Sequence, residues 1–93
     1  MLGKRRSERL KRMARLYAAL QVAKMAGTDY CQFTQFCGDA RQSKNILALQ
    51  ELIQRGFIDV KRYATTGYAA GYGTTEAGDE WLKGYLQLQR ELS

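Results

Sequence analysis

Apolar positions recur at helical spacing in four stretches of the chain and alternate in one. Between residues 7 and 26, Leu10, Met13, Tyr17 and Leu20 share one stripe, with Lys11, Arg12 and Arg15 opposite. Ser7 stands where a helix cap is wanted. Beyond Ala18 nearly every side is apolar (Ala19, Leu20, Val22, Ala23, Met25), which predicts a buried central helix ending at Gly27. Thr28 or Asp29 caps a shorter helix over 29–37, with Tyr30, Phe33, Phe36 and Cys37 on its inward face. Gly38 and Asp39 supply a turn and a new cap. The run ARQSKNILALQELIQR then predicts a third helix over 40–55, its Ile46, Leu49, Leu52 and Ile53 pointing inward and Gly56 stopping it.

After Gly56 the period changes from that of a helix to that of a strand. Phe57–Thr65 alternates and is rich in β-formers, Thr66-Gly67 is a turn, and Tyr68–Gly73 returns as a partner strand, so 57–73 reads as one hairpin. Alternation puts Ile58 and Val60 on one face and Lys61 and Tyr63 on the other. Thr75 caps a last helix over 75–92. The predicted fold is α+β in the order α-α-α-β-β-α, with a basic arm at 1–6 and a single domain at 7–93.

Composition narrows the function classes. The 93 residues, 45% of them hydrophobic, suffice for one modest core. The chain has no histidine and two cysteines, so neither a zinc site nor a His-based triad is expected. We expect no enzyme, no metal, no cofactor and no small-molecule ligand. Cys31 and Cys37, on one helix, would stand about 9 Å apart and could not bridge each other. Cys37 reads as a core residue, Cys31 as an exposed one. No apolar run approaches the roughly 18 residues of a membrane span, and the basic start lacks a signal peptide's apolar stretch, so the expected address is the cytoplasm. A net charge of +6 favours polyanionic partners. The excess lies in residues 1–62, with 13 basic and 5 acidic side chains against 2 and 4 in residues 63–93.

Two local motifs strengthen the topology. The run Leu49-Gln50-Glu51-Leu52-Ile53-Gln54-Arg55-Gly56-Phe57-Ile58 resembles the end of a winged-helix recognition helix, where leucines lead into a basic residue, a glycine and an apolar strand. About twenty residues on, Tyr72-Gly73-Thr74-Thr75-Glu76-Ala77-Gly78 resembles the exit from the wing. The chain is thus similar, over about residues 10–82, to winged helix-turn-helix regulators, MarR-like and PadR-like repressors and the small winged-helix proteins of archaea and their viruses. It departs from them in carrying Asn45 where they usually place an apolar residue, and Thr74 where they usually place leucine. The resemblance implies a third helix laid in the DNA major groove, a wing reaching backbone or minor groove, and a last helix used for two-fold dimerisation.

On that basis Arg41, Gln42, Ser43, Lys44, Asn45 and Leu47 are the candidate recognition-helix contacts, polar groups suited to base edges or phosphates and an outward leucine suited to a thymine methyl. Lys61, Arg62, Thr65, Thr66 and Tyr68 are the wing candidates. Lys4, Arg5, Arg6, Arg9 and Arg12 are the candidate phosphate anchors of the arm and first helix. Trp81, Leu82, Tyr85, Leu86, Leu88 and Leu92 form an apolar arc of about 160°, wider than a core-facing stripe needs, and are the candidate dimer interface. The expected protein is a double-stranded DNA-binding regulator acting as a homodimer. Leu47 and the wide apolar arc equally suit a protein-interaction module, and the charge alone would suit a non-specific architectural binder.

Overall fold

A computed structural model describes the backbone of residues 2–25, 30–38 and 43–92, and side chains within 7–24, 30–38 and 44–92. The elements are α1 (Leu2–Met25), α2 (Phe33–Phe36), α3 (Ser43–Gln54), β1 (Ile58–Arg62), β2 (Ala69–Thr74) and α4 (Glu76–Leu92). The fold is α+β: helices, a two-stranded antiparallel hairpin and a closing helix, an arrangement compatible with a winged helix. The caps expected at Thr28, Asp29 and Asp39 and the stop at Gly27 lie outside the described residues.

Met13, Leu16, Tyr17 and Leu20 of α1 supply one wall of the core, and Ala48, Leu49 and Leu52 of α3 the wall facing it. Ile58 and Leu82 are buried in the same cluster. Two expectations for α1 are corrected. Residues 2–6 do not form a separate arm, because the helix runs unbroken from Leu2, and Ser7 is an interior residue rather than its cap. Leucine, lysine, arginine and glutamate are all strong helix formers, so the basic segment continues the helix. The second half is not buried all round either, since Val22 is exposed.

The expected helix over 29–37 shrinks to the single turn of α2 for a non-local reason. Cys31 is extended and pairs with Tyr72 of β2, each N–H donating to the other's carbonyl at 2.9 Å. Its side chain is 1% exposed, which overturns the exposed position expected for it. β2 therefore has a neighbour on both edges, Cys31 on one and β1 on the other. β1 and β2 pair from Ile58↔Thr74 to Arg62↔Ala69, with an irregularity between Lys61 and Arg62. Beyond the ladder, Tyr63 N–H donates to the Tyr68 carbonyl at 2.9 Å and closes the tip.

The end of α3 and the start of α4 are tied together. Gly56 takes φ +77°, a left-handed conformation costly for a residue with a Cβ. Its N–H donates to the Ile53 carbonyl at 3.0 Å and that of Phe57 to the Leu52 carbonyl at 2.9 Å, the paired bonds of a Schellman stop. The Thr75 hydroxyl lies 2.8 Å from the Gly56 carbonyl and 3.0 Å from that of Phe57, and accepts the Gly78 N–H at 3.0 Å, capping α4 as the sequence predicts. Tyr17 Oη sits beside this junction, 2.7 Å from Asp79 Oδ1 and 3.0 Å from the Thr75 carbonyl.

Burial pushes the Tyr17 phenol above its ordinary range, Asp79 adding to the effect, and pushes the Cys37 thiol up to about 12. Both groups hold their protons more tightly folded than unfolded. Their contribution to stability is complete below the unfolded pKa, about 8.5 for a thiol and about 10 for a phenol. It is lost as pH rises beyond that, at about 1.4 kcal/mol per pH unit for each group. Urea midpoints should therefore fall from about pH 9 upward and more steeply above about pH 10. Cys37→Ala and Tyr17→Phe should each flatten that fall.

Candidate nucleic-acid interface

The phase of α3 decides what it offers to a partner. Asn45, Ala48, Leu49 and Leu52 face the core. Lys44 and Leu47 border a shallow groove shared with Glu8, Arg9 and Arg12 of α1. On the other flank Ile46, Gln50 and Ile53 border a groove of about 410 Å³ closed by Phe33, Val60, Arg62 and Tyr72. The outermost rib is Leu47, Gln50 and Gln54, all exposed and spaced by three and four residues. Gln50 and Gln54 were not among the candidates from sequence, although their register with Leu47, opposite Leu49 and Leu52, marks them.

Asn45 is corrected as a DNA contact. It is 8% exposed, and both ends of its amide are engaged. Its Nδ2 donates to the Cys37 carbonyl at 3.0 Å, and its Oδ1 accepts from Arg12 Nη1 at 2.8 Å. The amide satisfies a backbone carbonyl past α2 and pins α1 to α3, a polar group where an apolar one was expected. Arg12 is by the same bond a residue of the α1–α3 joint, not a free anchor. Arg41 and Gln42 lie outside the described residues, and so do the side chains of Ser43, Lys4, Arg5 and Arg6.

Two acidic groups near this face are engaged, whereas Glu8 lies exposed beside the groove of Lys44 and Leu47. Glu51 is 3.0 Å from Arg55 and 3.6 Å from Arg9, and Asp59 accepts the Tyr30 hydroxyl at 2.8 Å. Lys44, Lys61 and Arg62 are exposed, as are Thr65, Thr66 and Tyr68 at the hairpin turn. The face thus has a polar and aliphatic centre with cations on both flanks. Arg62 Nη1 donates to the Gly67 carbonyl at 3.1 Å, bracing the turn.

α4 divides the expected dimer arc in two. Leu82 is buried in the core and is corrected as an interface residue. Trp81 stacks on Phe57 at 5.2 Å and on Tyr85 at 5.9 Å and meets Tyr17 edge-on at 6.5 Å, so Trp81 and Tyr85 serve the molecule's own packing. The helix has turned its hydrophobic stripe onto α1 and the start of β1. Leu86, Leu88 and Leu92 are exposed.

Among the described residues no three His, Cys, Asp or Glu side chains group as metal ligands, and no helix is long and apolar enough to cross a membrane. No family model, curated protein or solved structure matches the chain.

Proposed function

We propose that the protein binds double-stranded DNA as a winged-helix regulator, with α3 in the major groove and the β1–β2 hairpin beside it. The observation that carries this reading is the outward rib of α3, flanked by cations while its acid, Glu51, is neutralised by two arginines. Gln50 and Gln54 are suited to base edges, bidentate to adenine above all, and Leu47 to a thymine methyl. Lys44, Lys61, Arg62 and Arg9 supply phosphate contacts. Affinity for random duplex should fall steeply with salt. Reversing both charges in Lys61→Glu/Arg62→Glu should weaken binding evenly across sequences and shallow the salt slope by about two. Gln50→Ala should instead cost about 1–3 kcal/mol at one base position. Binding that is weak or indifferent to salt would sink the proposal.

The reading includes a homodimer through the outer half of α4, where Leu86, Leu88 and Leu92 lie exposed. A two-fold pair would match paired half-sites. Leu88→Arg should convert a dimer to a monomer in sedimentation velocity, and a wild-type chain that sediments as a monomer at all concentrations would remove this part. The exposed Ile46 and Leu47 on α3 favour a second reading, a protein-docking module, which salt-indifferent behaviour toward DNA would support.

A further inference from the structure

Four of the six tyrosines are held in place. Tyr17 is bonded at the α4 junction, Tyr30 to Asp59, Tyr72 sits against Phe33 and Phe36, and Tyr85 stacks on Trp81. Tyr63 and Tyr68, at the hairpin tip, differ. They are 56% and 75% exposed, and among the described residues neither ring packs on another aromatic ring.

The bond from Tyr63 N–H to the Tyr68 carbonyl makes the two residues cross-strand partners. Residues directly opposite on antiparallel strands project to the same face, with Cβ atoms about 4.5–5.5 Å apart. Only Ala64, Thr65, Thr66 and Gly67 lie between them in the chain, side chains too small to wall off two phenol rings. Two cations precede Tyr63 in the chain. Arg62 is fixed to the turn through Gly67, and Lys61 Nζ lies 5.5 Å from the centroid of the Tyr30 ring. Open aromatic faces beside basic groups are the chemistry by which proteins stack unpaired bases while neutralising the adjoining phosphates. An intact duplex covers its base faces, so the rings gain a stacking partner only where a base has left the stack.

We propose that Tyr63 and Tyr68 form a base-stacking site, so that the protein prefers DNA with unstacked bases over intact duplex. The inference rests on the DNA-binding reading and adds the kind of DNA favoured. It is tested by fluorescence anisotropy with a labelled duplex, the same duplex carrying a central bulge, and a single strand of the same length, all at one salt concentration. The wild-type chain should bind the bulged duplex about tenfold more tightly than the intact one. Tyr63→Ala/Tyr68→Ala should lose that preference, and Tyr63→Phe/Tyr68→Phe should keep it. Circular dichroism confirms that the variants fold. Equal wild-type affinity for bulged and intact duplex, or a preference that survives the double alanine variant, overturns the stacking site alone. Failure to bind any of the three DNAs overturns it together with the DNA-binding reading.

Discussion

Gly78→Ala should destabilise the protein by about 3 kcal/mol or more, lowering the thermal midpoint by about 10–20 °C. A Cβ at Gly78 would stand 2.5 Å from Tyr17 Cε2 and Oη and closer still to the Phe57 carbonyl oxygen. No rotamer relieves this, because Tyr17 is fully buried and the Phe57 carbonyl belongs to backbone held by α3 and Thr75. The first turn of α4 would have to lift, stretching the Thr75 cap and the Tyr17–Asp79 hydrogen bond. Gly84→Ala in the same helix is the control. Nothing lies within 4 Å of a Cβ there, so alanine should stabilise by about 0.5–1 kcal/mol through helix propensity. Thermal melts that show the two variants alike would refute the close approach of α4 to α1.

Asn45→Leu should cost about 3 kcal/mol despite the similar side-chain size. Leucine fits the apolar surroundings, but it leaves the buried Cys37 carbonyl without its donor and Arg12 without its acceptor. A hydrogen bond to a charged group contributes about 1.5–3 kcal/mol, and a stranded buried carbonyl costs about 1–3 kcal/mol, so loss of the pair outweighs any gain in apolar burial. Arg12→Leu alone should cost less, since Asn45 keeps its bond to Cys37. Denaturant unfolding of the two variants and of the double variant gives the coupling energy directly. A coupling near zero would mean that the joint between α1 and α3 does not depend on this amide.

How much of this could be read from the sequence follows from which forces are local. α3, the hairpin and α4 announce themselves because period, glycine stop and threonine cap all act within a few residues. The extended pairing of Cys31 could not be seen, since its partner Tyr72 lies forty-one positions away and the intervening aromatics have helical spacing. Asn45 looked like a surface residue because polarity in the first turn of a helix usually means solvent, and only the position of the Cys37 carbonyl makes it a core residue. The wide apolar arc of α4 is legible as an arc, but its division between core and surface is not. Phe57 and Tyr17 take up Trp81, and only the outer leucines remain exposed. At the candidate interface, Lys61 and Arg62 were identifiable from charge, whereas Gln50 and Gln54 became visible only once the phase of α3 was fixed.

The triple engagement of the Thr75 hydroxyl has one more consequence. Residues 57 and 75 stand at the same spot, so everything between them is an excursion that departs from and returns to a single foothold. Past the pairing of Tyr72 with Cys31, the body of the molecule does not register how far that excursion travels. Lengthening or shortening it at the Ala64–Gly67 apex would alter reach toward a partner while leaving the foothold intact, so this is where evolution or engineering can vary reach at least cost to the rest of the chain.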